Sequence, residues 1–263
     1  MPVFAANLTM LFTEVPFLER FERAARAGFA AVEYMFPYQE DVDGIARALR
    51  ELKLTQALFN LPAGDWAGGD RGIAVDPSRR DEFRQGIGPA VELARKFGCP
   101  RLNCLVGKRR EDIPPEEQWA CLTDNVRFAA AELDRAGIML LVEPVNTYDI
   151  PGFFLHSSAR AIQLLDDAAA ANARLQYDLY HMQRMEGNLV DTMRRLRERI
   201  GHVQLADPPA RHEPGTGEIN FPFVLRALDA LGYEGYVGLE YRPSGKTEAS
   251  FGWIEAMGFT RGR

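Results

Sequence analysis

A (β/α)8 barrel is the fold this chain predicts, on two observations. Short apolar segments alternate with longer stretches of helical period throughout, and one helix-to-strand join recurs. The join reads A-G-F-A-A-V-E from Ala27, F-G-C-P-R-L-N from Phe97, A-G-I-M-L-L-V-E from Ala136 and L-G-Y-E-G-Y-V-G-L-E from Leu231. In each, a glycine able to take the left-handed conformation ends a helix, an apolar residue follows and a strand begins. Strands joined through helices run parallel with right-handed crossovers, and eight such units close most economically into a barrel. An open doubly wound sheet is the alternative, but no G-x-G-x-x-G follows the first strand to support it.

In chain order the expected strands are residues 3–8, 31–34, 55–60, 101–105, 139–143, 175–178, 202–206 and 236–240. The helices between them show apolar stripes at spacings of three and four. Phe83, Ile87, Ala90, Ala94 and Phe97 form one stripe, following the helix-start pair Asp76-Pro77. Trp119, Leu122, Val126, Ala129 and Leu133 form another, following Pro114-Pro115 with Glu116 and Glu117 in the first turn. No linker, low-complexity tract or change of composition divides the chain, so residues 1–263 read as a single domain.

The balance of 46% hydrophobic and 26% charged residues suits a globular protein with a large core. A formal net charge of -6 argues against a nucleic-acid or anionic-membrane partner, either of which is normally met by a basic face, and leaves small molecules as ligands. No apolar run reaches the ~18 residues of a membrane helix, and the start M-P-V-F-A-A-N-L-T-M lacks the basic residues of a signal peptide. Cys99, Cys104 and Cys121 have no C-x-x-C spacing and read as reduced core thiols of a cytoplasmic protein.

The expected strands finish on polar side chains, near Asn7, Glu33, Asn60, Asn103, Glu143, Asp178, Gln204 and Glu240. Strand alternation places Leu141 with Glu143, Gln176 with Asp178, His202 with Gln204 and Gly238 with Glu240 on the inner face. Three carboxylates and a carboxamide from four successive strands then converge at the barrel mouth. Acids that close repel unless a counter-charge intervenes. The all-oxygen set Glu143, Asp178, Gln204 and Glu240 suits Mg²⁺ or Mn²⁺ better than Zn²⁺. The competing reading is that these acids pair with Lys or Arg.

Six motifs carry a resemblance: A-N-L-T-M-L-F (residues 6–12), N-L-P-A-G-D-W (60–66), N-C-L-V-G-K (103–108), E-P-V-N-T-Y-D-I-P-G-F (143–153), Q-Y-D-L-Y-H-M-Q-R-M-E-G (176–187) and H-E-P-G-T-G-E-I-N (212–220). With them the chain resembles the hydroxypyruvate isomerase family of xylose-isomerase-like TIM barrels. The resemblance implies interconversion of hydroxypyruvate and tartronate semialdehyde, a place in glyoxylate and carbohydrate metabolism, and a homo-oligomer. It also implies catalytic roles for Glu143 and Glu240 and metal ligation by Glu143, Asp178, Gln204 and Glu240. Two departures from the family pattern, Phe59 before Asn60 and Pro208 after Asp207, bear on fine substrate preference. An isomerase for 2-oxo-tetronate and a ketose 3-epimerase are the nearest alternatives. A metal-dependent endonuclease would need more histidine ligands and a basic groove than four histidines and the acidic balance supply, and a binding protein would show no proton exchange.

Such an isomerisation moves a proton between adjacent carbons through an enediolate. It needs a base, a conjugate acid and positive charge beside the developing oxyanion. For the substrate carboxylate the candidates are Arg211, in the loop after the seventh strand, and Lys108, just past the fourth. By resemblance to ketose epimerases, His181 binds a substrate hydroxyl or orients a ligand, and Asp149 is a candidate of the same kind. His202 reads as a packed residue beneath Gln204, and His156 and His212 as loop residues. The run from His212 to Asn220 has no lysine after its glycines, so it is not a nucleotide loop and reads as a segment covering the site.

Overall fold

The computed structural model of the protein describes residues 1–261. Eight parallel strands, β1 (Val3–Asn7), β2 (Ala31–Glu33), β3 (Thr55–Asn60), β4 (Arg101–Cys104), β5 (Met139–Val142), β6 (Ala173–Asp178), β7 (Ile200–Leu205) and β8 (Tyr236–Leu239), close into one barrel in chain order. Pairing of β1 with β8 seals it. Every expected strand is present. Six of the eight, including β5 and β8, end one residue earlier than expected, so Glu143 and Glu240 stand just beyond the ladder.

Around the barrel lie α1 (Phe17–Arg26), α2 (Val42–Glu51), α3 (Arg80–Phe97), α4 (Pro115–Asp134), α5 (Ser158–Ala168), the pair α6 (Leu179–Met185) and α7 (Leu189–Leu196), then α8 (Phe221–Ala230) and α9 (Gly252–Ala256). The α3 stripe is realised in full, because the residues buried on that helix are Phe83, Ile87, Ala90, Ala94 and Phe97. On α4 the stripe holds except for Trp119, which is half-buried and donates from Nε1 to Asp167. Asp76 caps a 3-10 turn rather than α3 itself, since its carboxylate accepts from Ser78 N and the α-helix begins at Arg80. The recurring join is as expected: Gly28, Gly98, Gly137 and Gly232 all have positive φ, between 63° and 90°. All three cysteines are free and buried, and burial pushes the Cys99 and Cys104 thiols up to about 12, so they are inert in the core.

Apolar side chains on the outer strand faces, among them Leu102, Val142, Tyr177, Val203 and Leu239, pack under the helices. Phe59 belongs to this layer. It is fully buried and packs on Tyr34, Tyr38 and Phe97, so this departure from the family pattern points away from the mouth and does not bear on substrate preference. Inside the barrel the floor is small, with Ala5, Ala31 and Ala57 in contact. Above it Glu33, fully buried, accepts from Asn7 Nδ2 at 3.0 Å and Gln204 Nε2 at 2.7 Å and lies 2.7 Å from His202 Nε2. Gly238 makes room for this carboxylate, because a Cβ there would lie 2.2 Å from Glu33 Oε1. Overpacking of that kind costs about 2 kcal/mol, so Gly238→Ala should lower the melting temperature by roughly 4–8 °C in a calorimetric scan.

Candidate active site and metal centre

The barrel builds its site at the carboxyl ends of the strands, where side chains that alternation turns inward meet at the mouth. One ligand-capable atom from each of Glu143, Asp178, His181 and Glu240 lies within 4.8 Å of the others, and all four residues are buried. Glu143, His181 and Glu240 border a cavity of about 950 Å³ that is also lined by Asn60, Trp66, Arg71, Asp149, Tyr180 and Arg211. The structure thus brings Glu143, Asp178, His181, Glu240, Asp149 and Arg211 together and leaves Lys108 outside. Lys108 is exposed, and its Nζ donates to the Gly69 carbonyl at 2.9 Å.

Three acids in one buried group repel and resist ionisation. Burial, reinforced by Glu240 and Asp178, raises the Glu143 carboxyl well above its ordinary range. Burial raises Glu240 to about 8, with Arg211 opposing the shift and Asp178 and Glu33 adding to it. Asp178 is raised as well, chiefly by burial. Among the described residues one arginine reaches these acids: Arg211 Nη2 lies 2.5 Å from Glu240 Oε2 and 3.9 Å from Asp178 Oδ2. The competing reading of acids paired with arginine is therefore realised in part. A single guanidinium does not serve three carboxylates, and Asp178 Oδ2 is buried without a hydrogen bond. An orphaned carboxylate oxygen between two further acids suits a hard divalent cation.

Gln204 stands beside this group on β7, in register with Asp178 on β6 and Gly238 on β8. Its Nε2 donates to Glu33, and its Oε1 accepts from Gln176 Nε2 at 2.6 Å. That oxygen keeps a second lone pair. His181 enters the group through a helix, because Asp178 ends β6 and caps α6 by accepting from Tyr180 N, which places His181 one turn above.

The protonation of His181 follows from its neighbours. Asn146 Oδ1 accepts from Asp149 N at 2.8 Å, so the Asn146 amide nitrogen must face the ring, 2.7 Å from His181 Nδ1. Burial, with Arg211 and Arg184, holds the His181 pKa well below its usual value, so the ring is neutral. Nδ1 is then the acceptor, and Nε2 carries the hydrogen toward Asp178 Oδ2 at 3.5 Å and Glu143 Oε1 at 3.8 Å. In this tautomer His181 presents Nε2–H to the two carboxylates. Asp149 lies behind it with both oxygens engaged, accepting from Asn146, from Tyr180 at 2.8 Å and from Arg184 at 2.5 Å. Burial would raise its pKa, but those bonds and the nearby arginines keep it below the ordinary value.

Asn146, Tyr180 and Glu33 gained no role from the sequence, although Asn146 lies three residues past Glu143 and Glu33 ends a strand. Their partners come from other βα units, which spacing does not reveal. The loop after β7 also differs from expectation. Asp207 accepts from the backbone N–H groups of Gly215, Gly217 and Ile219, so the glycine-rich run wraps this carboxylate, and within the loop only Pro209, Ala210 and Arg211 line the cavity.

A family model described as xylose isomerase-like TIM barrel matches residues 21–261. The chain is 49% identical to a hydroxypyruvate isomerase of Escherichia coli over 96% of this chain and 98% of that protein. It is 42% identical to a 2-oxo-tetronate isomerase of Cupriavidus necator over 97% and 98% of the two chains. Among solved structures, one titled AP endonuclease, family 2, from Brucella melitensis superposes with a TM-score of 0.95 at 44% identity, covering 97% of this chain and 99% of that one.

Proposed function

We propose, for a chain that belongs to the xylose isomerase-like TIM barrel family, that it is a hydroxypyruvate isomerase interconverting hydroxypyruvate and tartronate semialdehyde. The observation that carries this reading is the pair of buried acids with raised pKa values, Glu143 and Glu240, facing one cavity beside an orphaned Asp178 oxygen. Full-length similarity to the E. coli isomerase supports the substrate class. A 2-oxo-tetronate substrate is the second reading, favoured by the C. necator relative and by a cavity large enough for a fourth carbon.

In this proposal Glu143 and Glu240 divide the proton transfer, one removing the proton from carbon and the other returning it to the neighbouring carbon. Asn103 Nδ2, 2.8 Å from Glu143 Oε2, holds that carboxyl in place. Arg211 does the same for Glu240 and adds positive charge where an enediolate oxygen develops. His181 Nε2–H offers a donor to a substrate oxygen. Glu143, Asp178, Gln204 and Glu240 would hold Mg²⁺ or Mn²⁺, which as a Lewis acid lowers the cost of forming the enediolate. A cytoplasmic location, a homo-oligomeric state and a role in glyoxylate metabolism belong to the same proposal. So does the absence of nucleic-acid and membrane partners; among the described residues no helix is long and apolar enough to cross a membrane. An endonuclease is disfavoured by the net charge of -6.

Incubating the protein with hydroxypyruvate in deuterated water, with Mg²⁺ or Mn²⁺, tests the reading by NMR. Deuterium should appear on carbon 2 of the tartronate semialdehyde that accumulates and on carbon 3 of hydroxypyruvate re-formed by the reverse reaction. Exchange at carbon 3 of a ketohexose instead would indicate an epimerase, and binding with no exchange would indicate a binding protein.

A further inference from the structure

We propose that Arg71 binds the substrate carboxylate and thereby selects short keto acids over neutral sugars, an assignment that rests on the isomerase reading above. Three arginines line the cavity: Arg71, Arg211 and Arg242. A guanidinium grips a carboxylate best through a pair of parallel N–H bonds, such as those on its Nε and Nη2 edge. On Arg211 that edge is taken, because Nη2 donates to the Glu240 carboxylate and Nε to the Glu240 carbonyl at 3.4 Å. Arg242 is exposed, and no contact among the described residues orients its guanidinium.

Arg71 differs from both. Its Nη1 donates to the Trp66 carbonyl at 3.1 Å and the Asp70 carbonyl at 2.5 Å, and its guanidinium stacks 4.1 Å from the centre of the Trp66 ring. Nε and Nη2 have no hydrogen-bond partner, and the residue has no acidic partner among the described residues. The adjacent Asp70 is already committed, pairing with Arg79 at 2.6 Å and accepting from Asp65 N. Arg71 is thus a positioned cation with its carboxylate-binding edge free.

The backbone holds it there. Gly72 donates to the Ala63 carbonyl and bridges to Val106 past β4, at φ 108°, and a Cβ at Gly72 would lie 1.9 Å from the Leu105 carbonyl oxygen. Only glycine allows that approach. Trp66, beneath the guanidinium, packs on Phe36 with ring centres 5.0 Å apart. Little ordering remains to be done when an anion arrives. A ketose of the same length has a hydroxymethyl group where the acid has its carboxylate, and would leave the fork unpaired.

The test uses hydroxypyruvate as substrate, with glycerate and dihydroxyacetone as an unreactive acid and a neutral ketose whose binding calorimetry follows without turnover. For Arg71→Ala we expect a KM for hydroxypyruvate raised about 50-fold, kcat within about threefold of the parent, and glycerate binding weakened by about the same 50-fold. Dihydroxyacetone binding should not change, and Arg71→Lys should recover part of the loss, because a point charge replaces the fork. Unchanged glycerate affinity in Arg71→Ala, with a parental melting curve, would overturn the assignment. So would equal weakening of glycerate and dihydroxyacetone, or transfer of the whole effect to Arg242→Ala. If the parent holds glycerate through Arg71 yet leaves hydroxypyruvate unchanged, the isomerase reading fails and the carboxylate site stands.

Discussion

Glu143→Gln should lower kcat for hydroxypyruvate isomerisation by about 10³-fold, within the range of general acid–base catalysis, and leave the fold intact. The amide keeps the shape of the acid and its acceptor for Asn103 Nδ2, so the hydrogen bond across β4 and β5 survives. What disappears is the proposed proton carrier. Because Glu143 resists ionisation in its buried group, a neutral amide costs the metal-free protein nothing, and its melting temperature at pH 8 should equal or exceed that of the parent. Asp178→Asn is the companion variant. It removes a charge from the orphaned oxygen's carboxylate without touching either proton carrier, so activity lost there should return as Mg²⁺ or Mn²⁺ is raised, whereas Glu143→Gln should stay inactive at every concentration. Near-parental turnover in Glu143→Gln would remove it from the proton path.

Stripping divalent cations with a chelator should make stability fall as pH rises from about 5 to about 9. Glu240 has its carboxyl at about 8 in the folded chain, against an ordinary value of 4.5. Between those limits the folded chain holds a proton that the unfolded chain has released. Unfolding therefore releases a proton, and stability is highest below the unfolded value and is lost on approach to the folded one. The raised Glu143 and Asp178 carboxyls add in the same direction. The combined effect is on the order of a few kcal/mol, moderated by the pairing of Arg211 with Glu240. A divalent cation supplies the missing counter-charge, so added Mg²⁺ or Mn²⁺ should flatten the pH dependence and release protons on binding near neutral pH, measurable by calorimetry in buffers of different ionisation enthalpy. Stability that rises through this window in chelator would contradict the assigned electrostatics.

The barrel was legible in the sequence because its signals are local. The glycine joins at Gly28, Gly98, Gly137 and Gly232 and the stripe from Phe83 to Phe97 depend on residues within a few positions of one another. Strand alternation likewise brought Glu143, Asp178 and Glu240 to one face, and the structure places them within 4.8 Å. The errors share a cause. Phe59 was read as bearing on substrate preference because it departs from the family pattern beside Asn60, but its ring joins Tyr34, Tyr38 and Phe97 outside the barrel. Lys108 was chosen for its place after β4, yet a long flexible side chain can turn to any nearby carbonyl, and it turns to Gly69.

By itself, then, the sequence determined the architecture, the ring of strand-end acids and their convergence, since periodicities of two and 3.6 residues decide which way each side chain points. Only the tertiary structure decided the commitments of those side chains. It engaged Arg211 with Glu240, set the His181 tautomer through Asn146 and Asp149, filled the space above Gly238 with Glu33, and left Arg71, with no acidic partner among the described residues, lining the cavity. Each of these is a contact between different βα units, or a bond left unmade. The physical reason is that hydrogen-bond satisfaction is settled in three dimensions, among neighbours that closure of the barrel brings together and that spacing along the chain does not encode.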